Sequence, residues 1–217
     1  TVDVTPDGSF TYTPTTNFVG TDSFVYVADD GVKTSTATVT LTVMPPQCEV
    51  EVTGDGNADY GSLDASALQA AVDDAASGDL IRVAGACTDV QVREGLTQTL
   101  YIDKSLTVQG GYTTTNGWAG SDPQAYPTTL NAEGGGRVVY VTSGVTVTLD
   151  GLVLTGGQME DDRGGGIYSE GALTLSHSVL QDNAADGGGG IYITQAPLTI
   201  SHSDFYTNTG GWRRGGG

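Results

Sequence analysis

The chain has 217 residues and a formal net charge of −18, with 8 Lys+Arg against 26 Asp+Glu. So acidic a chain excludes partners held through phosphates, which need clustered cations, and no run approaches the ~18–20 apolar residues of a membrane span. Its 33 Gly, about twice the usual ~7%, and abundant Thr point to β structure with many turns.

Residues 8–43 alternate in short runs: Ser9–Thr13, Ser23–Val27 and Thr36–Val43. Period-2 alternation of aromatic and β-branched residues signals strands. The separators Asp7-Gly8, Asn17–Gly20 and Asp29-Asp30-Gly31 are turn chemistry. Three or four antiparallel strands are expected, about half of the roughly seven in an immunoglobulin-type sandwich. The string DGSFTYTPTTNFVGTDSFVYVADDGVKTSTATVTLTV, residues 7–43, resembles the C-terminal part of bacterial cadherin-like (Ig-like) tandem repeats. That resemblance implies a spacer module of a large secreted or cell-surface protein, rigidified by calcium in some members. The expected domains are therefore 1–44, a partial Ig-like module; 45–47, a stiff linker around Pro45-Pro46; and 48–217.

After the linker, Cys48–Thr53 reads as a short strand and residues 54–61 as a polar turn. A helix is expected over about 62–76, because Leu68, Ala71, Val72 and Ala75 fall at helical spacing. Ser62 or Asp64 caps it and Gly78 ends it. Asp73 and Asp74 sit at the wrong end for the macrodipole and are expected to stay solvated.

The remainder repeats. Leu173, Leu175, Ser178, Leu180 and Asn183 reappear 25 residues on as Leu198, Ile200, Ser203, Phe205 and Asn208. The set 26 residues earlier is Val147, Leu149, Leu152, Leu154 and Gly157. Leu100–Val108 is a diverged earlier copy and Leu80–Val83 the first strand. A period near 25 with short strands suits a coil whose turns stack at about 4.8 Å. The helix then covers its N-terminal end, and Asn183 and Asn208 form a corner amide ladder. A further turn is expected to start at Gly215–Gly217.

GGGIYSEGALTLSHSVLQDNAA and GGGGIYITQAPLTISHSDFYTN resemble the repeats of right-handed parallel β-helix surface proteins of the pectin-lyase-like superfold. SLDASALQAAVDDAASGDLIRVAG and YIDKSLTVQGGY resemble their N-terminal segment. The resemblance covers residues 48–217 and implies a secreted or surface-anchored, adhesin-like polypeptide; the superfold itself implies no chemistry. The expected fold class is all-β: a right-handed parallel β-helix with an N-terminal capping helix, preceded by a partial Ig-like β-sandwich.

Candidate sites are few. Asp55, Asn57 and Asp59 have the spacing of a calcium loop, and with Asp64 make either a loose oxygen cage or a polar turn. Tyr60 and Ser66 stand where an EF-hand needs Gly and Glu. Glu160-Asp161-Asp162-Arg163 is the nearest approach to the carboxylates of a glycan-cleaving site, but it lacks stacked partners and reads as a solvated loop. His177 and His202 read as a surface column without a third metal ligand. Tyr112, Trp118 and Tyr126, in an insertion over 109–136, are the best sugar-stacking platform. Cys48 and Cys87, an even pair in an export-type sequence, read as a disulfide; the alternative is two buried thiols.

The expected function is a non-catalytic structural segment of a large bacterial extracellular or cell-surface protein. It needs no cofactor, with Ca2+ an optional ligand. Its partners are further domains of the same polypeptide or neighbouring copies, which complete the open ends. The alternatives are a lyase or hydrolase acting on acidic glycans, or a glycan-binding module.

Overall fold

The computed structural model describes residues 2–5, 9–15, 18, 20–29, 31–44, 47–53 and 60–211. Asp7-Gly8, Asn17, Asp30, Pro45-Pro46, residues 54–59 with Asp55, Asn57 and Asp59, and Gly215–Gly217, named above, lie outside them. The chain divides into two compact units, Thr1–Pro45 and Pro46–Gly217.

The first unit is two antiparallel hairpins. Strand β1 (Val2–Val4) pairs with β2 (Phe10–Tyr12), Val2 opposite Tyr12. Strand β3 (Gly20–Asp29) pairs with β4 (Thr34–Val43) over ten positions. The hairpins meet through Phe10 and Phe24, edge to face at 5.1 Å, and through the Tyr12 hydroxyl, which donates to Asp22 at 2.8 Å. None of the unit's described residues is buried.

The second unit is a parallel β-solenoid of about five turns. Its N-terminal end is made by β5 (Cys48–Thr53), β6 (Tyr60–Ser62) and the helix α1 (Ser66–Asp74). Four walls follow. In the first, β7 (Leu80–Thr88), β10 (Leu106–Tyr112), β13 (Thr146–Asp150), β17 (Ala172–Ser176) and β21 (Leu198–Ser201) pair in parallel. In the second, β11 (Thr128–Asn131), β14 (Leu152–Thr155), β18 (Val179–Gln181) and β22 (Asp204–Tyr206) continue from the far half of β7. The third has β8 (Gln91–Arg93), β9 (Leu96–Ile102), β12 (Arg137–Val141), β16 (Ile167–Ser169) and β20 (Ile191–Ile193), parallel except for the β8–β9 hairpin. The fourth has β15 (Gln158–Arg163), β19 (Ala184–Gly187) and β23 (Thr209–Gly210).

The register is the one the repeats require. Val147 pairs with Leu173 and Leu173 with Leu198; Leu154 pairs with Leu180 and Leu180 with Phe205. These columns point inward because alternate strand residues face one side. Leu149, Leu154, Leu175 and Leu180 are completely buried, whereas Leu198, Ile200 and Phe205 are 38–44% exposed.

The N-terminal end is closed differently. Strand β5 runs antiparallel along β7 from Cys48↔Gly85 to Thr53↔Leu80 and covers its edge. Helix α1 buries Leu68, Ala71 and Val72 against the coil. It has nine residues, not the fifteen of 62–76, because Ser62 still belongs to β6, Ala65 is the cap, and Ala75 is already extended. Gly78, at φ +103°, lies in the turn beyond and does not cap the helix. Ser62 and Asp64 do accept the Ala67 and Ser66 amides, although Ala65 holds the cap position. Asp73 and Asp74 are not simply solvated. Arg93 closes on Asp73 at 2.6 Å, and the Tyr60 hydroxyl donates to Asp74. The cation that suits the helix C-terminus comes from Lys104, whose ammonium donates to the Asp73 and Ala75 carbonyls at 2.8 and 3.0 Å. The Cys48–Cys87 disulfide, wholly buried, ties β5 to the end of β7.

Candidate functional site: a groove beside a tyrosine ladder

Tyr101, Tyr140, Tyr168 and Tyr192 pair in register along the third wall. Val139, Val141 and Ile167 beside them point into the core, so the tyrosines line the outer face. Their rings stack at 5.5, 5.3 and 5.4 Å between centroids, the first two pairs within 4° of parallel. Each ring face in the middle of the stack is thus taken by the next ring. Arg137 is 1% exposed, and its guanidinium carbon lies 5.3 Å from the Tyr140 centroid and 4.9 Å from that of Tyr168. It closes on Asp162 at 2.6 Å, while its buried Nε has no partner among the described residues. Burial, then the hydrogen bond to Glu170 at 3.1 Å, pushes the Tyr140 phenol up to about 12.

Residues 160–163 are not a loop. They belong to β15, which pairs with β19 as Gln158↔Ala184, Met159↔Ala185 and Arg163↔Gly187. Three residues, Glu160–Asp162, therefore stand opposite the single Asp186, a bulge that bends the strand. So the carboxylates do have a counterpart in the next turn. Arg163 donates to the Tyr192 hydroxyl at 2.6 Å, its guanidinium carbon 4.9 Å from that ring. Asp161, Asp162, Arg163, Tyr168, Asp186 and Tyr192 line an open groove of about 740 Å³. Gly187, Gly188 and Gly210 also line it and bring no side chains.

A second groove, about 580 Å³, runs past Asp122, Pro123, His177, His202 and Asp204. His177 and His202 stack at 5.0 Å. Both backbones are left-handed, φ +46° and +47°, at the corner where the previous turn has Gly151 at +66°. The His177 Nδ1 lies 2.9 Å from the Asp150 Oδ1. Burial raises the Asp150 carboxyl, but hydrogen bonds from Ser176, His177 and Gln109 outweigh it and hold it below the usual carboxylate range.

Other corners are used up by stacking. The Asn183 amide donates to the Asn208 Oδ1 at 2.9 Å and to the Leu154 carbonyl at 3.0 Å, while its own Oδ1 accepts from the Gly157 amide. Asn208 repeats the contact on the Leu180 carbonyl at 2.7 Å. Ser178 and Ser203 accept the Leu152 and Ser178 amides in the same manner.

The proposed sugar platform does not form as one surface. Tyr112 and Trp118 are 7% and 9% exposed and pack on Ala84 as a small second core; of the three rings only Tyr126 is open to solvent. The Tyr112 hydroxyl donates to Gln109. Asp64 is spent on the start of α1, and hydrogen bonds from Ser66 hold its carboxyl below the usual range. Among the described residues no group of three or more His, Cys, Asp or Glu is placed to hold a metal ion. The tyrosine ladder is not among the expectations drawn from the repeats. Its signal was an aromatic after each inward residue: Leu100-Tyr101, Val139-Tyr140, Ile167-Tyr168, Ile191-Tyr192.

Among the described residues no helix is long and apolar enough to cross a membrane. No curated protein and no solved structure matches the chain. Residues 1–42 match the family model for a bacterial Ig domain, a similarity that covers the first unit alone.

Proposed function

We propose that the chain is a non-catalytic structural segment of a large bacterial surface or secreted protein, adhesin-like and built on the pectin-lyase-like superfold. One observation carries this reading: a bacterial Ig match at residues 1–42 joined in one polypeptide to a parallel solenoid. Ig modules of this kind act as spacers, and solenoids extend one rung at a time. The polar corner residues Asn183, Asn208, Ser178 and Ser203 serve the stacking itself. The reading needs no cofactor, and its partners are further domains of the same polypeptide or neighbouring copies.

Antibodies against the solenoid test the location. Labelling of intact bacteria that express the native gene, or recovery from the medium, is expected. Antigen confined to the cytoplasm would overturn the reading. The polysaccharide lyase or hydrolase remains the competing role. Incubation with pectin and alginate separates the two, because an enzyme would release unsaturated products or new reducing ends.

A further inference from the structure

We propose that the groove beside the tyrosine ladder binds a neutral, hydroxyl-rich glycan chain. The inference goes beyond the structural role and does not depend on it. It uses neither Tyr112 nor Trp118, which are buried.

The volume, about 740 Å³, lies within the range of ligand sites, about 300–1,000 Å³. Its chemistry is mixed. Asp161, Asp162 and Asp186 bring acceptors, and Arg163, Tyr168 and Tyr192 bring donors. A sugar hydroxyl is both donor and acceptor, so it pairs with either set. Two of these groups are held in place before any ligand arrives. The buried Arg137 guanidinium fixes Asp162 at 2.6 Å, and Tyr192 holds Arg163 at 2.6 Å. Groups fixed in advance lose less freedom on binding.

The floor favours an extended chain. Gly187, Gly188 and Gly210 leave the backbone bare on successive turns. Tyr168 and Tyr192 occupy equivalent positions one rung apart, about 4.8 Å. A polymer with repeating hydroxyls therefore meets a repeating wall. Because Tyr168 is stacked on both sides, contacts with it fall on the ring edge and phenol oxygen, whereas Tyr192 is stacked on one side and has Arg163 over its ring. The charge selects against acidic polymers: among the described residues three carboxylates against one arginine line the groove, on a chain of net charge −18, and like charges repel a uronan or a nucleic acid.

Calorimetric titration of the full chain with cellohexaose, maltohexaose, mannohexaose and chitohexaose, and with hexagalacturonate as the acidic probe, tests the proposal. Binding of at least one neutral hexaose is expected, at least tenfold tighter than hexagalacturonate. Two variants should weaken it at least tenfold. Arg163→Ala removes an exposed cation. Gly210→Phe fills the groove, at a position where an added Cβ meets nothing nearer than 3.7 Å. Asp122→Ala in the second groove should leave binding unchanged. Should a variant not fold, amide shift mapping on the unaltered chain replaces it, with perturbation expected at Gly187, Gly188 and Gly210. No binding by any neutral hexaose, equal or tighter binding of hexagalacturonate, retained affinity in both groove variants, or shifts elsewhere would each overturn the proposal.

Discussion

Arg137 lies against the rings of Tyr140 and Tyr168 and closes on Asp162, the one charged partner of this buried guanidinium among the described residues. Removing one member of a buried pair strands the other, whereas an apolar replacement of the cation need not. Asp162 is 45% exposed on its side chain, so water offsets part of the loss. Asp162→Ala is expected to destabilise the solenoid by about 1–2 kcal/mol. Arg137→Met should cost less than Asp162→Ala. Urea unfolding of the two variants measures the difference, and the reverse order would contradict this account.

The amide ladder is the second test. Asn183 is completely buried, and Asn183→Ala leaves the Leu154 carbonyl and the Gly157 amide without its side chain. Each buried group so orphaned costs about 1–3 kcal/mol, so a loss of about 2–5 kcal/mol is expected. Asn208→Ala, one turn on and less buried, should cost less. Thermal unfolding of both variants checks the gradient.

The Cys48–Cys87 bridge spans 39 positions. In the chain-entropy model such a loop stabilises by about 4 kcal/mol. The Cys48→Ala, Cys87→Ala double variant should therefore unfold at markedly lower denaturant. Since both sulfurs are buried, dithiothreitol should leave the folded protein oxidised and reduce it only once unfolded. Thiol titration under both conditions reads this.

Tyr140 sets an alkaline limit. Its phenol titrates near 12 when folded and near 10 when unfolded. A raised folded value means that the contribution is complete below about pH 10 and is lost as pH rises toward 12. Burial also raises the stacked Tyr101 and Tyr168, so phenolate absorbance should show a late-titrating component that Tyr140→Phe reduces. The variant should also flatten the loss of stability between about pH 10 and 12.

What could be read from sequence follows from repetition. The inward columns through Leu173 and Leu175 recur every 25 or 26 residues, so each copy confirms the register of the next. Where the period breaks, the reading fails for physical reasons. The bulge at Glu160–Asp162 places three residues against one and disguises a strand as a loop. The insertion holding Tyr112 and Trp118 has no copy to compare with, and burial on Ala84 is a tertiary choice. The shorter helix reflects Ser62 pairing in β6 at one end and the extended Ala75 at the other, neither of which apolar spacing registers.

The first turn of the solenoid and its last described turn differ in how they are held. One carries a helix, an antiparallel strand and a covalent staple; the last described turn is held by its preceding neighbour, with Leu198, Ile200 and Phe205 half open. Because each rung depends on its neighbours, tension applied from the C-terminal side would strip the coil turn by turn, each step freeing about 25 residues, as the 25-residue spacing of the Asn183–Asn208 ladder sets. Such peeling would free no length between Cys48 and Cys87, whose bond holds the two ends of that 39-position span together however far the turns beyond it open.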